Sequence, residues 1–274
     1  MSDFAAPLDG VTSVLFAHAH PDDETLASGG LIAELVARGV RVTLLTASRG
    51  ERGEIVAGVL PALSGTALSQ TALSGADALA RAREGELAGA VAALGISAQY
   101  WLGSPPARAV GSAPRRYRDS GMEWVRPGVA GPAADADADA LSVAPLGEVV
   151  DDVAALLAVE APSLVISYDS VGGYGHPDHV RIRDAALAAS VAVGIPFAEL
   201  LEAPAADASW FSLSSHLPVV VAALRCHASQ LTVVGDAVVH SGGQRELIGT
   251  DVGLRLVAPG VPDGIGSREL LGQV

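Results

Sequence analysis

Residues 17–26 read AHAHPDDETL and hold two histidines, two aspartates and a glutamate within ten positions. Residues 172–184, GGYGHPDHVRIRD, bring the His-Pro-Asp triplet a second time. The conservative reading makes these carboxylates helix caps: Asp22, Asp23 and Glu24 at the start of one helix, Asp178 at the start of another. Capping, however, requires one carboxylate and no histidine. His20 and Asp23 stand three residues apart, as do His176 and His179. That spacing lets two side chains converge where a strand turns into a helix. Imidazole nitrogen together with carboxylate oxygen suits a first-row divalent metal, and a catalytic zinc takes three protein ligands while leaving a fourth position open. The two segments supply four such donors, and Asp22 and Asp178 besides. Hydrolysis at a metal needs that surplus: ligands, a base for the attacking water and an acid for the leaving group. Spacing leaves open which of His176 and His179 is the ligand.

The elements that must position these residues follow from period and punctuation. Val11–Ala17 reads as a buried strand, Thr25–Arg38 as a helix stopped by Gly39, and Val40–Ala47 as a second strand. An irregular stretch, Ser48–Gly75, contains the short echo ALSGTALSQTALSG, too brief for a solenoid repeat. Asp77–Leu94 is predicted helical and Ala98–Leu102 a strand; a Pro/Gly/Ala-rich excursion, Gly103–Pro145, follows. Leu146–Val159 is then a helix, Ser163–Tyr168 a strand and His179–Val193 a helix. Strands alternating with such helices predict an α/β fold, a Rossmann-like, mostly parallel sheet with helices on both faces. Ligands bind such sheets beyond the carboxyl ends of the strands, where both His-Pro-Asp segments fall. Residues 1–200 are expected to form the catalytic core, and 201–274 a smaller C-terminal α/β portion completing the substrate cleft.

Composition narrows the classes. Of 274 residues half are hydrophobic, enough for a substantial core, and the formal charge is −14 with a pI near 4.7. An acidic chain is a poor partner for nucleic acid. The seventeen basic residues are all arginine. Cys226 is the single cysteine, which excludes a disulfide within the chain and a thiolate zinc cluster; it reads as a small buried hydrophobe. The opening MSDFAAPLDG lacks the features of a secretory leader, and the apolar run Ala185–Leu201 is broken by Ser190, Gly194, Pro196 and Glu199. The expectation is a cytoplasmic protein without a membrane partner, its oligomeric state open. There is no G-x-S-x-G elbow, no Walker A loop and no G-x-G-x-x-G after the first strand.

AHPDDE at 19–24 followed late in the chain by HPDH at 176–179 resembles the LmbE/PIG-L-type zinc-dependent N-acetylglucosaminyl deacetylases. Within that family GGYGHPDH, YRDSGM at Tyr117–Met122, AREGEL at Ala82–Leu87 and CHASQ at Cys226–Gln230 are most similar to the mycothiol-biosynthesis branch, which removes acetate from N-acetylglucosaminyl-inositol. The resemblance implies His20, Asp23 and His179 as ligands of Zn²⁺, with Fe²⁺ or another divalent ion able to substitute. It implies Asp22 as the general base, and His176 as the group that stabilises the oxyanion and protonates the leaving amine. Asp178 would orient a histidine, and Tyr174 would help hold the tetrahedral intermediate. Arg83, with Arg81 two residues away, and Asp119 would grip sugar and inositol hydroxyls. The implied partner is a small amino sugar.

Two readings compete with this one: a mycothiol-conjugate amidase or deacetylase of another amino sugar, and a sugar-binding module without turnover. An intact Asp22 beside a full ligand set argues against the binder, which needs no base. Outside the motifs His18 reads as a packed or hydrogen-bonded residue, His216 and His240 as surface residues, and His227 stays ambiguous.

Overall fold

The computed structural model describes residues 7–59 and 75–258. The repeat echo, apart from its last glycine, lies outside the described residues, as do the first six residues of the chain and the tail after 258. The first half runs β1 (Ser13–His18), α1 (Asp23–Leu26), α2 (Gly29–Ala37), β2 (Arg41–Thr46), α3 (Gly75–Leu94) and β3 (Ala98–Trp101). A hairpin follows, β4 (Met122–Arg126) and β5 (Val129–Pro132), then α4 (Leu146–Glu160), β6 (Leu164–Ser167), α5 (Pro177–Val193) and β7 (Phe197–Leu201). The last elements are β8 (Ser209–Phe211), α6 (Leu217–Leu224), β9 (Leu231–Val234), β10 (Ala237–His240), β11 (Arg245–Leu247) and β12 (Val252–Val257).

Seven strands form one sheet in the order β3-β2-β1-β6-β7-β12-β8. The first five are parallel, and β12 lies antiparallel between β7 and β8. Side chains alternate across a strand, so Val14 and Phe16 of β1 enter one core while Leu15 and Ala17 enter the other. The first core is roofed by α2 and α3 (Leu31, Leu35, Leu87, Leu94), the second by α4 and α5 (Val153, Leu156, Ile182, Ala186). This is the expected mostly parallel sheet with helices on both faces. Segments beyond residue 200 return to it through β8 and β12, and β9–β11 form a small sheet of their own. No helix among the described residues is long and apolar enough to cross a membrane.

Three local expectations change. The helix predicted over Thr25–Arg38 is two helices broken at Ser28, whose hydroxyl donates back to the Glu24 carbonyl at 2.9 Å and also meets His18 Nε2 at 3.0 Å. A serine that bonds the preceding turn bends the ladder. The break also brings Gly30 so close to the Thr250 carbonyl that a Cβ there would sit 2.3 Å from its oxygen. The Gly103–Pro145 excursion contains β4 and β5, and the end of the apolar run is β7.

The chain runs outward from β1 through β2 to β3, then crosses back to place β6 on the other side of β1. The β1/β6 boundary is therefore the switch point, where flanking loops diverge and leave a crevice at the strand carboxyl ends. Both His-Pro-Asp segments open onto it.

Candidate metal centre and active site

The two His-Pro-Asp segments enter their helices differently. In the second, His176 is the N-cap of α5 and Pro177 takes the first helical position, where its missing N–H is no loss. The His176 ring, not Asp178, makes the cap: its Nδ1 accepts from the Asp178 amide at 3.2 Å. In the first, Asp22 occupies the cap position of α1, yet its side chain makes no cap hydrogen bond and its φ is 109°. Capping thus accounts for neither aspartate.

These contacts fix tautomers. His176 Nδ1 is an acceptor, so a neutral ring carries its proton on Nε2. His179 is the reverse case: its Nδ1 faces the Gly172 carbonyl at 3.3 Å and must donate, which leaves a lone pair on Nε2. That Nε2 is buried without a hydrogen-bond partner and lies 3.5 Å from Asp23 Oδ1. His20 Nε2 reaches Asp178 Oδ2 at 3.2 Å, and its Nδ1 lies 3.4 Å from Asp23 Oδ2. Asp178, fully buried, accepts further from the Ser120 amide at 2.9 Å and from the Ser120 hydroxyl.

Nitrogens of His20, His176 and His179 come within 4.8 Å of one another, and a second donor group joins His20 to Asp119 and Asp178. Asp23 is in neither group, but its two oxygens face His20 Nδ1 and His179 Nε2, and imidazole with carboxylate is a donor set that suits a divalent cation. Its Oδ2 lies 3.4 Å from His20 Nδ1 and its Oδ1 3.5 Å from His179 Nε2. His176, its Nε2 protonated, offers no lone pair toward the site.

Without a metal the carboxylates favour a charged His20 ring, and a bound cation would take the place of the proton on Nδ1. Burial opposes a charge on His20, but Asp119, Asp178 and Asp23 together raise it well above its ordinary value. Burial also opposes ionisation of Asp23, yet His179 and His20 hold it well below the usual carboxylate range. Burial, with the charge on His20, lowers His176 to about 4, and burial lowers His179 to about 3. Burial and the neighbouring Asp23 charge push Asp22 up to about 7.

Tyr174 lies at the rim, 39% exposed, its ring centroid 5.2 Å from that of His179 and 6.1 Å from that of His176. The hairpin holds it there: the Ala130 amide donates to the Tyr174 carbonyl at 2.8 Å, and Trp124 tilts against its ring at 5.9 Å. Asp119 is buried beside His20, one oxygen accepting from the Gly121 amide at 2.8 Å and the other from the Arg52 amide at 3.1 Å.

Arg83 departs from the expectation of a substrate grip. It is 2% exposed and donates to the carbonyls of Gly50 and Glu54. Both Gly50 and Gly53 lie so close that a Cβ on either would collide with the guanidinium. Arg83 therefore anchors the loop after β2, while Arg81 is exposed on the outer side of α3.

Other partners were not among the predicted site residues. Tyr168 donates to Asp23 Oδ2 at 2.6 Å and stacks on His179 with centroids 4.1 Å apart. Ser120 holds Asp178, and fully buried His227 pairs with Glu24 at 2.8 Å. Of the remaining histidines, His18 is hydrogen-bonded and buried as expected, His216 is half-buried against Glu34 at 2.5 Å, and His240 meets Glu246 at 3.0 Å. Cys226 is partly buried against the first core.

Comparison with known proteins agrees with this geometry. Residues 15–190 match the family described as PIG-L, GlcNAc-PI de-N-acetylase. A 1D-myo-inositol 2-acetamido-2-deoxy-alpha-D-glucopyranoside deacetylase from Kineococcus radiotolerans is 41% identical over 67% of this chain; the match spans 46% of that protein's length. The deacetylase 1 of the same name from Saccharopolyspora erythraea is 36% identical over 80% of this chain and 77% of its own. Among solved structures the N,N'-diacetylchitobiose deacetylase from Pyrococcus horikoshii superposes with a TM-score of 0.55 at 22% identity, covering 82% of this chain and 73% of that one. By its α/β fold and its matched sequence, the chain belongs to the PIG-L family of deacetylases.

Proposed function

We propose that this chain hydrolyses the acetamide of an N-acetylglucosamine linked to inositol, releasing acetate and the free amine, as a metal-dependent deacetylase. The names carried by its relatives support the substrate class. The single observation that carries the metal is the buried, unpartnered Nε2 of His179 beside Asp23, whose other oxygen lies 3.4 Å from His20 Nδ1. His20, Asp23 and His179 would hold Zn²⁺, or Fe²⁺ or another divalent ion, which would supply Lewis acidity to acidify water and polarise the acetamide carbonyl.

The chain's own residues do the rest. Asp22, freed from capping, takes a proton from the attacking water as the new C–O bond forms. A carboxyl near 7 is well matched to that task at neutral pH. His176 is neutral near pH 7 and presents Nε2–H, so it donates a hydrogen bond to the carbonyl oxygen as negative charge grows there. Tyr174, at the rim, adds its hydroxyl to the same oxygen. With His176 neutral, the proton acquired by Asp22 serves the leaving nitrogen. The C–N bond then breaks, and acetate and amine separate. Asp178 fixes the His20 ring, as a carboxylate behind a ligating histidine does. Asp119, buried beside His20, would accept from substrate hydroxyls with its remaining lone pairs, and Arg83 holds the loop after β2.

The test is acetate release from inositol-linked N-acetylglucosamine, from free N-acetylglucosamine and from a mycothiol conjugate, before and after dialysis against a chelator. The expected result is a clear kcat/KM preference for the first, loss of activity on chelation and recovery with Zn²⁺. Full activity in verified metal-free protein overturns the metal mechanism; preference for the conjugate replaces deacetylase with amidase.

A further inference from the structure

The first His-Pro-Asp segment is gripped from the far end of the chain. Gln230 Nε2 donates to the Pro21 carbonyl at 2.5 Å. His227 Nε2 meets Glu24 Oε1 at 2.8 Å, and the Thr25 hydroxyl donates to the same oxygen at 2.5 Å. The other oxygen of Glu24 accepts from the Asp22 amide at 3.0 Å. Glu24 and His227 are both fully buried, and the proposed chemistry uses neither. The turn that carries His227 and Gln230 is itself pinned: Ser229 binds Glu86 of α3 at 2.7 Å, and its carbonyl accepts from the Val56 amide at 2.9 Å.

Asp22, between these ties, has φ 109°, a conformation that a residue with a side chain adopts only under constraint from its surroundings. The ties fall on either side of the strained bond: the peptide before Asp22 is fixed through the Pro21 carbonyl and the Asp22 amide, while Glu24 is fixed two residues later. Released, the residue would relax to negative φ and its carboxylate would swing away from Asp23 and the histidines.

We infer that the 227–230 turn is a brace that holds Asp22 in its positive-φ conformation and so aims the base. His227, Glu24 and Gln230 are positioning residues that act through Asp22. This rests on the assignment of Asp22 as base, and the experiment separates the two claims.

His227→Met and Gln230→Met remove the donors while keeping volume; His227→Gln keeps a donor toward Glu24. Metal content, kcat and KM are measured on the metal-loaded protein with each change, alone and in an Asp22→Asn background. Each Met variant is expected to lower kcat on the order of tenfold or more, the usual result of a displaced catalytic group. KM and metal content should stay near native, and His227→Gln should restore most of the turnover. In the Asp22→Asn background the Met substitutions should cost nothing further, because what they position is gone. Native kcat in both folded Met variants overturns the brace, as does an undiminished loss in the Asp22→Asn background. If His227→Met does not fold, Gln230→Met, which leaves the buried ion pair intact, decides alone. If Asp22→Asn itself stays active, the base reading falls. The brace is then judged by hydrogen exchange: selective deprotection of the Asp22 amide in a Met variant sustains it, and unchanged protection refutes it.

Discussion

His20 and Asp178 are 158 residues apart in sequence and 3.2 Å apart in the fold, joined from Nε2 to Oδ2. The contact links the two His-Pro-Asp segments directly. A carboxylate accepts only, so it keeps a proton on His20 Nε2, and when the ring is neutral its lone pair is on Nδ1, toward Asp23. Asp178 is in turn held by both donors of Ser120. One aspartate thereby sets the tautomer of a ring that belongs to the other motif.

Asp178→Asn should therefore act on the metal rather than on the fold. The amide oxygen can keep the Oδ2 position and accept from the Ser120 amide and from His20 Nε2, but it carries no charge to hold that ring. Metal affinity should fall ~10–100-fold, read by titration of the stripped protein with Zn²⁺, with the unfolding transition little changed. Native affinity in the variant would show that His20 does not depend on this contact.

Asp22 and Asp23 are adjacent and should fail differently. Asp23→Ala should deplete metal, because it removes the carboxylate between His20 and His179. Asp22→Asn should keep metal and lose roughly 10²–10⁴ in kcat. Asp22 must be ionised to take a proton, so kcat/KM should fall as pH drops through its pKa. The protein alone raises that value to about 7, and a bound cation lowers it, so the limb should lie at or below about 7 and vanish in Asp22→Asn. Near-native turnover of Asp22→Asn would move the base elsewhere.

The strain at Asp22 has its own readout. Glycine adopts φ 109° without a Cβ penalty, whereas alanine keeps it. Strain of this type costs ~1–3 kcal/mol, and glycine loses about 0.4–1 kcal/mol through its freer unfolded chain. Asp22→Gly should accordingly be more stable than Asp22→Ala by about 1 kcal/mol in metal-free protein. Equal or reversed stability, measured by denaturant unfolding, would mean that the position carries no strain.

The buried Glu24–His227 pair predicts a stability window. Burial opposes the charge on Glu24, but His227 holds its folded pKa below the ordinary 4.5; its contribution is present above 4.5 and is lost as pH falls through the depressed value. Burial likewise opposes the charge on His227, but Glu24 raises its folded pKa above 6.5; that contribution is full below 6.5 and fades as pH rises through the raised value. The stability lost on His227→Met should thus be greatest between about pH 4.5 and 6.5 and shrink on both sides. A pH-independent difference would show that the two groups are not ionised together.

Much of this was legible in one dimension. Helices and strands follow from side-chain spacings of a few residues, so alternation alone implied a parallel sheet with helices on both faces. The punctuation placed both His-Pro-Asp segments past strand ends. His20, Asp23, His176 and His179 stood out because donors three residues apart at a strand-to-helix turn are themselves a local pattern. What depended on distant partners was hidden. The bend at Ser28 required His18 across the turn and Thr250 against Gly30. Arg83 was drawn from the substrate's side into the loop by two carbonyls whose positions no spacing reveals. The tautomers of His176 and His179 turned on which ring nitrogen met a backbone amide and which met a carbonyl. Sequence determined which residues could do the chemistry, because residue type and local period are written along the chain. Tertiary structure decided which nitrogen was left free and which carboxylate was left uncapped, because a lone pair is freed only when a second, distant element takes the other side of the same ring.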